Sequence, residues 1–338
     1  MSRRAWKIAG WILTSLTALV IVAITMTVGW RPFLGPRARA VTDRSFERTP
    51  ERLARGEYLA SALTGCEDCH SEHDFRTPDA AIAPERRYAG AEIVMKDLPG
   101  RVIAPNLTAD PETGLEQWSD DEIARAIREG IGRDGRALFP MMPYGHYAHM
   151  SDEDLASVVV FLRSLPPVRN TVPATEIVFP VNYLIRNVPQ PITEAVAAPD
   201  LSTPTKRGAY LVEIAGCADC HTPVRDGTPI AGMDFSGGFI LDGPWGRVAS
   251  PNITPDASGI SYYDEELFVQ AIRTGSVKSR PLNPIMPWPG LRHLTDQDLS
   301  DIFAYLRTLK PVQHRVDNGE TPAVCRFCGA SHGLGDKN

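Results

Sequence analysis

Cysteine and histidine are scarce in this chain of 338 residues, at six and eight. Positive net charge is missing: the formal balance of −6 argues weakly against nucleic acid or anionic lipid headgroups as partners. No stretch shows the sustained apolar-polar alternation of a strand, which excludes a β architecture and leaves an all-α expectation. Long uncharged runs are also lacking, with one exception at the N-terminus. What remains, 43% hydrophobic and 22% charged residues, is the composition of a globular protein, with enough proline (29) and glycine (27) to place much of the chain in loops.

The few cysteines are concentrated. Cys66-Glu67-Asp68-Cys69-His70 and Cys217-Ala218-Asp219-Cys220-His221 are two copies of C-x-x-C-H. Two thiols one helical turn apart can each form a thioether to one vinyl group of a porphyrin, and the histidine that follows is placed to bind the iron. The alternative, a disulfide or half of a zinc site beside an incidental histidine, would have to arise twice. The expectation is two covalently bound haem c groups, at Cys66, Cys69 and His70 and at Cys217, Cys220 and His221. Two cysteines remain, Cys325 and Cys328. They are followed by glycine rather than histidine, so a short-loop disulfide is expected, with free thiols or a metal half-site with His332 as alternatives.

The uncharged exception spans residues 8–30, between Lys7 and Arg31. As a helix its 23 residues reach about 34 Å, enough to cross a bilayer core. Trp11 and Trp30 suit the two interfaces. The alternative is a cleaved signal peptide, because Ala38-Arg39-Ala40 has the small-x-small form. Against it, the run exceeds the usual ~7–15 residues, and Pro32 and Pro36 intervene before that site. Arg3, Arg4 and Lys7 on one side and Arg31, Arg37 and Arg39 on the other leave the charge rule for orientation undecided. Haem attachment outside the cytoplasm puts the body in the periplasm and the N-terminus inside.

The body repeats. Arg55-Gly56-Glu57-Tyr58-Leu59 is answered by Arg207-Gly208-Ala209-Tyr210-Leu211, and Pro105-Asn106-Leu107-Thr108 by Pro251-Asn252-Ile253-Thr254. Three helices per copy follow from apolar spacing and caps. The first runs from about Glu51 into the haem site, the second opens at Ser119 with a capping box and stops at Gly130, and the third begins at Ser151. Their partners begin at about Thr205, Asp264 and Thr295.

Each copy carries a methionine followed by proline and an aromatic residue: Met142-Pro143-Tyr144 and Met286-Pro287-Trp288. They lie 72 and 65 residues after the proximal histidines. Matched methionines of this kind are expected to be the sixth iron ligands, paired with His70 and His221 respectively. His73, His146, His149 and His293 are the competing ligands; otherwise they are polar loop residues. Asn106, Thr108, Asn252 and Thr254 are read either as propionate partners or as turn residues. Trp118, Trp245 and Trp288 are read as packing on haem or in the core.

With these motifs the chain resembles a tandem class I cytochrome c, and more narrowly the membrane-anchored cytochrome c subunits of bacterial periplasmic alcohol and gluconate dehydrogenases. The phrases that carry this are Arg-Gly-x-Tyr-Leu, residues 106–115, and Phe139-Pro140-Met141-Met142-Pro143-Tyr144. Those subunits typically hold three haem domains, whereas this chain has two attachment sites. The resemblance implies thioethers at Cys66, Cys69, Cys217 and Cys220, and iron ligation by His70, Met142, His221 and Met286.

The expected organisation is an anchor over residues 1–31, a linker over 32–52, cytochrome domains over 53–168 and 205–315, an interdomain linker over 169–204 and a tail over 316–338. The expected function is that of a membrane-tethered dihaem cytochrome. It would relay single electrons from a dehydrogenase or quinol-oxidising complex to a cytochrome, oxidase or reductase, without catalysis of its own. The alternative is a dihaem redox enzyme, of peroxidase or thiosulfate dehydrogenase type, with one haem open or unusually ligated.

Overall fold

The Arg-Gly-x-Tyr-Leu repeat decides how the helices pack. It lies in a computed structural model that describes residues 3–225, 227–319, 321, 323–324, 326 and 331–332. The readings on Cys325, Cys328 and the side chain of His332 lie outside the described residues.

Helix α1 (Arg3–Met26) buries none of its side chains and is long and apolar enough to cross a membrane. A single turn, α2 (Arg31–Leu34), follows. The first half contains α3 (Pro50–Tyr58), α4 (Cys66–Cys69), α5 (Asp120–Glu129), α6 (Tyr144–Tyr147) and α7 (Asp152–Ser164). The intervening strap holds α8 (Val181–Leu184). The second half repeats the plan with α9 (Pro204–Ile214), α10 (Cys217–His221), α11 (Glu265–Thr274), α12 (Trp288–Leu291) and α13 (Asp296–Leu306).

The expected caps are present. Ser119 and Glu122 close a full capping box on α5, and Ser151, Asp264 and Thr295 each accept the backbone N–H of the third residue of their helices. The first helix differs from expectation. After α3 the chain widens into a π turn (Leu59–Leu63), because the Thr64 hydroxyl joins its own N–H in donating to the Leu59 carbonyl.

The all-α expectation holds in part. Helix makes up 39% of the structure, and short antiparallel strands are interleaved with it. The longest, Gly100–Ala104, pairs with Ala91–Ile93 on one side and with Glu176–Ile177 of the strap on the other. In the second half Ile240–Gly243 pairs with Gly246–Ala249. Runs of two to five residues are too short for alternation to show in the sequence.

Within each half the first helix crosses the last at its glycine. A Cβ on Gly56 would lie 1.9 Å from the Ser157 carbonyl oxygen, and one on Gly208 1.9 Å from that of Asp301, so no other residue fits. The arginine before it pairs with the partner helix, Arg55 with Asp154 at 2.8 Å and Arg207 with Asp301 at 2.5 Å. The leucines Leu59 and Leu211 are buried in one apolar cluster shared by both halves.

The tyrosines cross between halves. Tyr210 donates to Asp154 and accepts from the Ser151 N–H; Tyr58 donates to Asp298 and accepts from the Thr295 N–H. Each half thus caps the other's last helix, giving the pair an approximate two-fold relation. Lys96 to Asp242 (3.2 Å) and an edge-on contact of Phe75 with Trp245 add to the junction.

Candidate functional site

A left-handed glycine opens each attachment turn, Gly65 (φ +63°) before Cys66 and Gly216 (φ +65°) before Cys217. The one-turn helix that follows sets both sulfurs of each pair on the same side. Burial pushes the thiols up, to about 11 for Cys66 and Cys220 and about 12 for Cys69 and Cys217. Among the described residues no three histidine, cysteine or acidic side chains gather as a metal cluster.

His70 and His221 are both buried. Their Nδ1 atoms bond to the carbonyls of Pro105 (2.6 Å) and Pro251 (2.9 Å), which fixes each ring and leaves Nε2 for iron. Burial lowers His70 to about 4 and lowers His221 too, so both rings are neutral, as a metal ligand must be. The role of Pro105 and Pro251 is not evident in the sequence taken locally; their repetition in both Pro-Asn-x-Thr loops is the signal.

Those loops are held by their own side chains and by the segment that follows the last helix of each half. Asn106 donates to Thr113 and the Val168 carbonyl and accepts from the Thr108 N–H and hydroxyl; Asn252 and Thr254 repeat this against Val312. Every hydrogen-bonding position on Asn106 is used by protein groups, in its own loop and at Val168, so the structure favours the turn role over propionate binding.

In the first half a cavity of about 730 Å3 is lined by Cys66, Cys69 and His70 together with Met141 and Met142. The distal loop is held by its aromatic residue. Tyr144 packs over Gly130, which ends α5, and Trp288 packs over Gly275, which ends α11. Tyr147 then ties the distal side to the attachment side by donating to the Thr64 carbonyl at 2.7 Å. In the second half Met286 and Cys217 pack against the shared core. The indole Nε1 atoms of Trp245 and Trp288 are buried without a partner among the described residues, donors left for an acceptor the protein does not itself supply. Paired thiols, a neutral imidazole with Nε2 unengaged and a thioether on a shared cavity fit a covalently held haem.

The competing histidines are occupied elsewhere. His73 bonds the Ala80 and Asp68 carbonyls, and His149 and His293 are exposed. His146 crosses to the second half, at 2.8 Å from Asp219 and 3.1 Å from Glu213. The halves differ here. The residue matching His146 is Gly290, which faces Asp68, so Asp68 has no such partner and burial raises it to about 7.

The description of one protein family, cytochrome c, fits residues 53–166 and 205–310. The chain is 30% identical over 271 residues to a protein named dihaem cytochrome c-type from Cereibacter sphaeroides, covering 77% of this chain and 86% of that one. It is 30% identical to a subunit of the nicotinate dehydrogenase of Pseudomonas putida, over 83% of this chain but 23% of that protein. It is 25% identical to the cytochrome c subunit of the alcohol dehydrogenase (quinone) of Gluconobacter oxydans, over 80% of this chain and 58% of that subunit.

Proposed function

The chain belongs to the cytochrome c family, and from that premise we propose that it is a membrane-tethered dihaem electron relay of the outer face of the cytoplasmic membrane. Cytochrome c domains carry covalently bound haem c, which supplies a reversible one-electron iron couple. Two such groups are assigned here, one per repeat. Cys66 and Cys69, and Cys217 and Cys220, would hold them by thioethers. His70 with Met142, and His221 with Met286, would supply the protein ligands to each iron. The domain limits proposed are 53–168 and 205–315, joined by the strap at 169–204 and tethered by residues 1–31, with a tail over 316–338.

The observation that carries this reading is the placement of His70 and Met142 on walls of one cavity, within a repeat that supplies His221 and Met286 in the same order. Two protein ligands per iron would leave no open position for substrate, which favours electron transfer over catalysis. Pro105 and Pro251 orient the imidazoles, and Tyr144 and Trp288 fix the thioether loops.

The names of the relatives support a dehydrogenase as donor. A quinol-oxidising complex is the other donor of suitable chemistry, and a cytochrome or terminal oxidase the acceptor. The test is stoichiometry: the purified full chain should hold two covalent haems, and one after Cys66→Ala with Cys69→Ala. A wild-type ratio of one overturns the proposal.

A further inference from the structure

The strap between the halves returns to the point where α1 ends. Arg186 Nη1 donates to the Pro32 carbonyl at 2.9 Å, Asn187 Nδ2 to the Val28 carbonyl at 3.0 Å, and Arg37 Nη1 to Gln190 Oε1 at 2.9 Å. Two segments about 150 residues apart in sequence (Pro32 and Arg186 are 154 apart) therefore form one surface, with α8 beside α2.

That surface is apolar and exposed. Phe33 is 57% exposed, Leu34 73%, Val178 54% and Phe179 77%, with Trp30 and Leu184 adjoining. It also carries one sign of charge. Residues 27–41 and 177–193 contain Arg31, Arg37, Arg39 and Arg186 and no acidic residue, although the chain as a whole has a net charge of −6. Arg39 is turned inward to Asp121 and Glu129, both at 2.7 Å. The other three arginines belong to the surface.

The stretch that joins this surface to the first half is fixed. The Arg39 pair with Asp121 is almost wholly buried, Thr42 N–H donates to Asp121 at 2.7 Å, and Phe46 N–H donates to Asp120 at 2.9 Å. Whatever the surface rests on therefore sets the orientation of the haem-bearing halves.

We infer that Trp30, Phe33, Leu34, Val178, Phe179 and Leu184, rimmed by Arg31, Arg37 and Arg186, form a second membrane contact that lies on an anionic lipid surface beside the end of α1. Aromatic and aliphatic side chains rimmed by arginine suit the boundary of headgroup and acyl chain. Continuity with α1 selects lipid as the occupant: the Val28 carbonyl that Asn187 contacts is two residues past the helix end. The inference rests on the reading of α1 as a membrane anchor. It adds that the halves are laid against the bilayer in one orientation rather than swinging on a tether.

The test uses the full haem-loaded chain in vesicles of phosphatidylcholine and phosphatidylglycerol carrying a photoactivatable carbene near the headgroup. Labelled residues are mapped by mass spectrometry. Label is expected in residues 178–188 at about tenfold the level of the segment around Tyr262, another exposed aromatic. The variant Phe179→Glu with Leu184→Glu should lose that label, with label in α1 and the haem spectrum unchanged. Label in α1 but not in 178–188 overturns the inference and leaves the anchor standing, as does equal label around Tyr262. Absence of label from α1 as well would remove the anchor itself.

Discussion

Tyr210 Oη of the second half lies 2.7 Å from Asp154 Oδ2 of the first, and the same aspartate holds Arg55 at 2.8 Å. One carboxylate thus joins the packing within a half to the junction between halves. Tyr58 and Asp298 repeat the bond in the opposite direction. Two repeats held this way keep their attachment sites at a constant separation, which an electron relay requires.

Removing either hydroxyl tests the junction. Tyr210→Phe leaves the Ser151 N–H without a partner and takes one donor from the Asp154 carboxylate, which keeps Arg55. It should cost about 1.5–3 kcal/mol, the worth of a hydrogen bond to a charged group. Tyr58→Phe should cost a similar amount. Denaturant unfolding of the haem-loaded protein gives the values; a cost near zero for both would mean that the halves are held by their apolar contact alone.

His146 makes the junction sensitive to alkali. Bonds to Asp219 and then Glu213 raise it to about 9, from an ordinary 6.5. A raised value means the folded state holds the proton more tightly. The stabilisation is therefore complete below pH 6.5 and is lost as pH rises through about 9. Thermal midpoints recorded across that window should fall for the wild type, and fall less for His146→Gln. Parallel profiles would contradict the assignment.

Gly208→Ala should be severe, because the new methyl would meet the backbone of Asp301 and Cβ of Tyr305, at 1.9 and 2.9 Å. Backbone cannot yield as a side-chain tip can, so a loss of about 3 kcal/mol or more is expected. Gly145→Ala, with nothing within 4 Å, should be close to neutral. Thermal unfolding of the two variants side by side is the check.

Asn106→Ala should affect the attachment site from outside it. It orphans the buried Thr108 N–H and takes one of two donors from the Val168 carbonyl, which keeps the Thr108 hydroxyl, at a cost of about 2 kcal/mol. The same loop carries the Pro105 carbonyl that orients His70. A shift in the reduction potential of the first haem only, read by redox titration, is the expected companion effect.

Much of this was legible in the sequence, for reasons that differ by residue. The caps at Ser119, Ser151, Asp264 and Thr295 were readable because capping is local. The spacing of Cys66, Cys69 and His70 and the match of Met142 with Met286 stood out because each pattern occurs twice; the structure adds that Cys66, His70 and Met142 line one cavity. The glycine and tyrosine of Arg-Gly-x-Tyr-Leu were visible as a repeat, but their purpose was not. Tyr58 meets Asp298 across 240 residues, and no local pattern encodes that distance. The strands were hidden by their brevity, and the π turn by its dependence on a single hydroxyl, that of Thr64. The crossing of His146 to Asp219 was hidden for the same reason as the tyrosine pairs.

The most direct measurement is optical spectroscopy of the intact haem-loaded chain in both oxidation states. Closure of each iron by histidine and methionine predicts a weak far-red sulfur-to-iron band in the ferric protein. That band should be halved by Met142→His or by Met286→His. The reduced protein should not take up carbon monoxide. A high-spin ferric signal, or one equivalent of carbon monoxide bound per chain, would contradict closure and make one of the two centres a site for substrate.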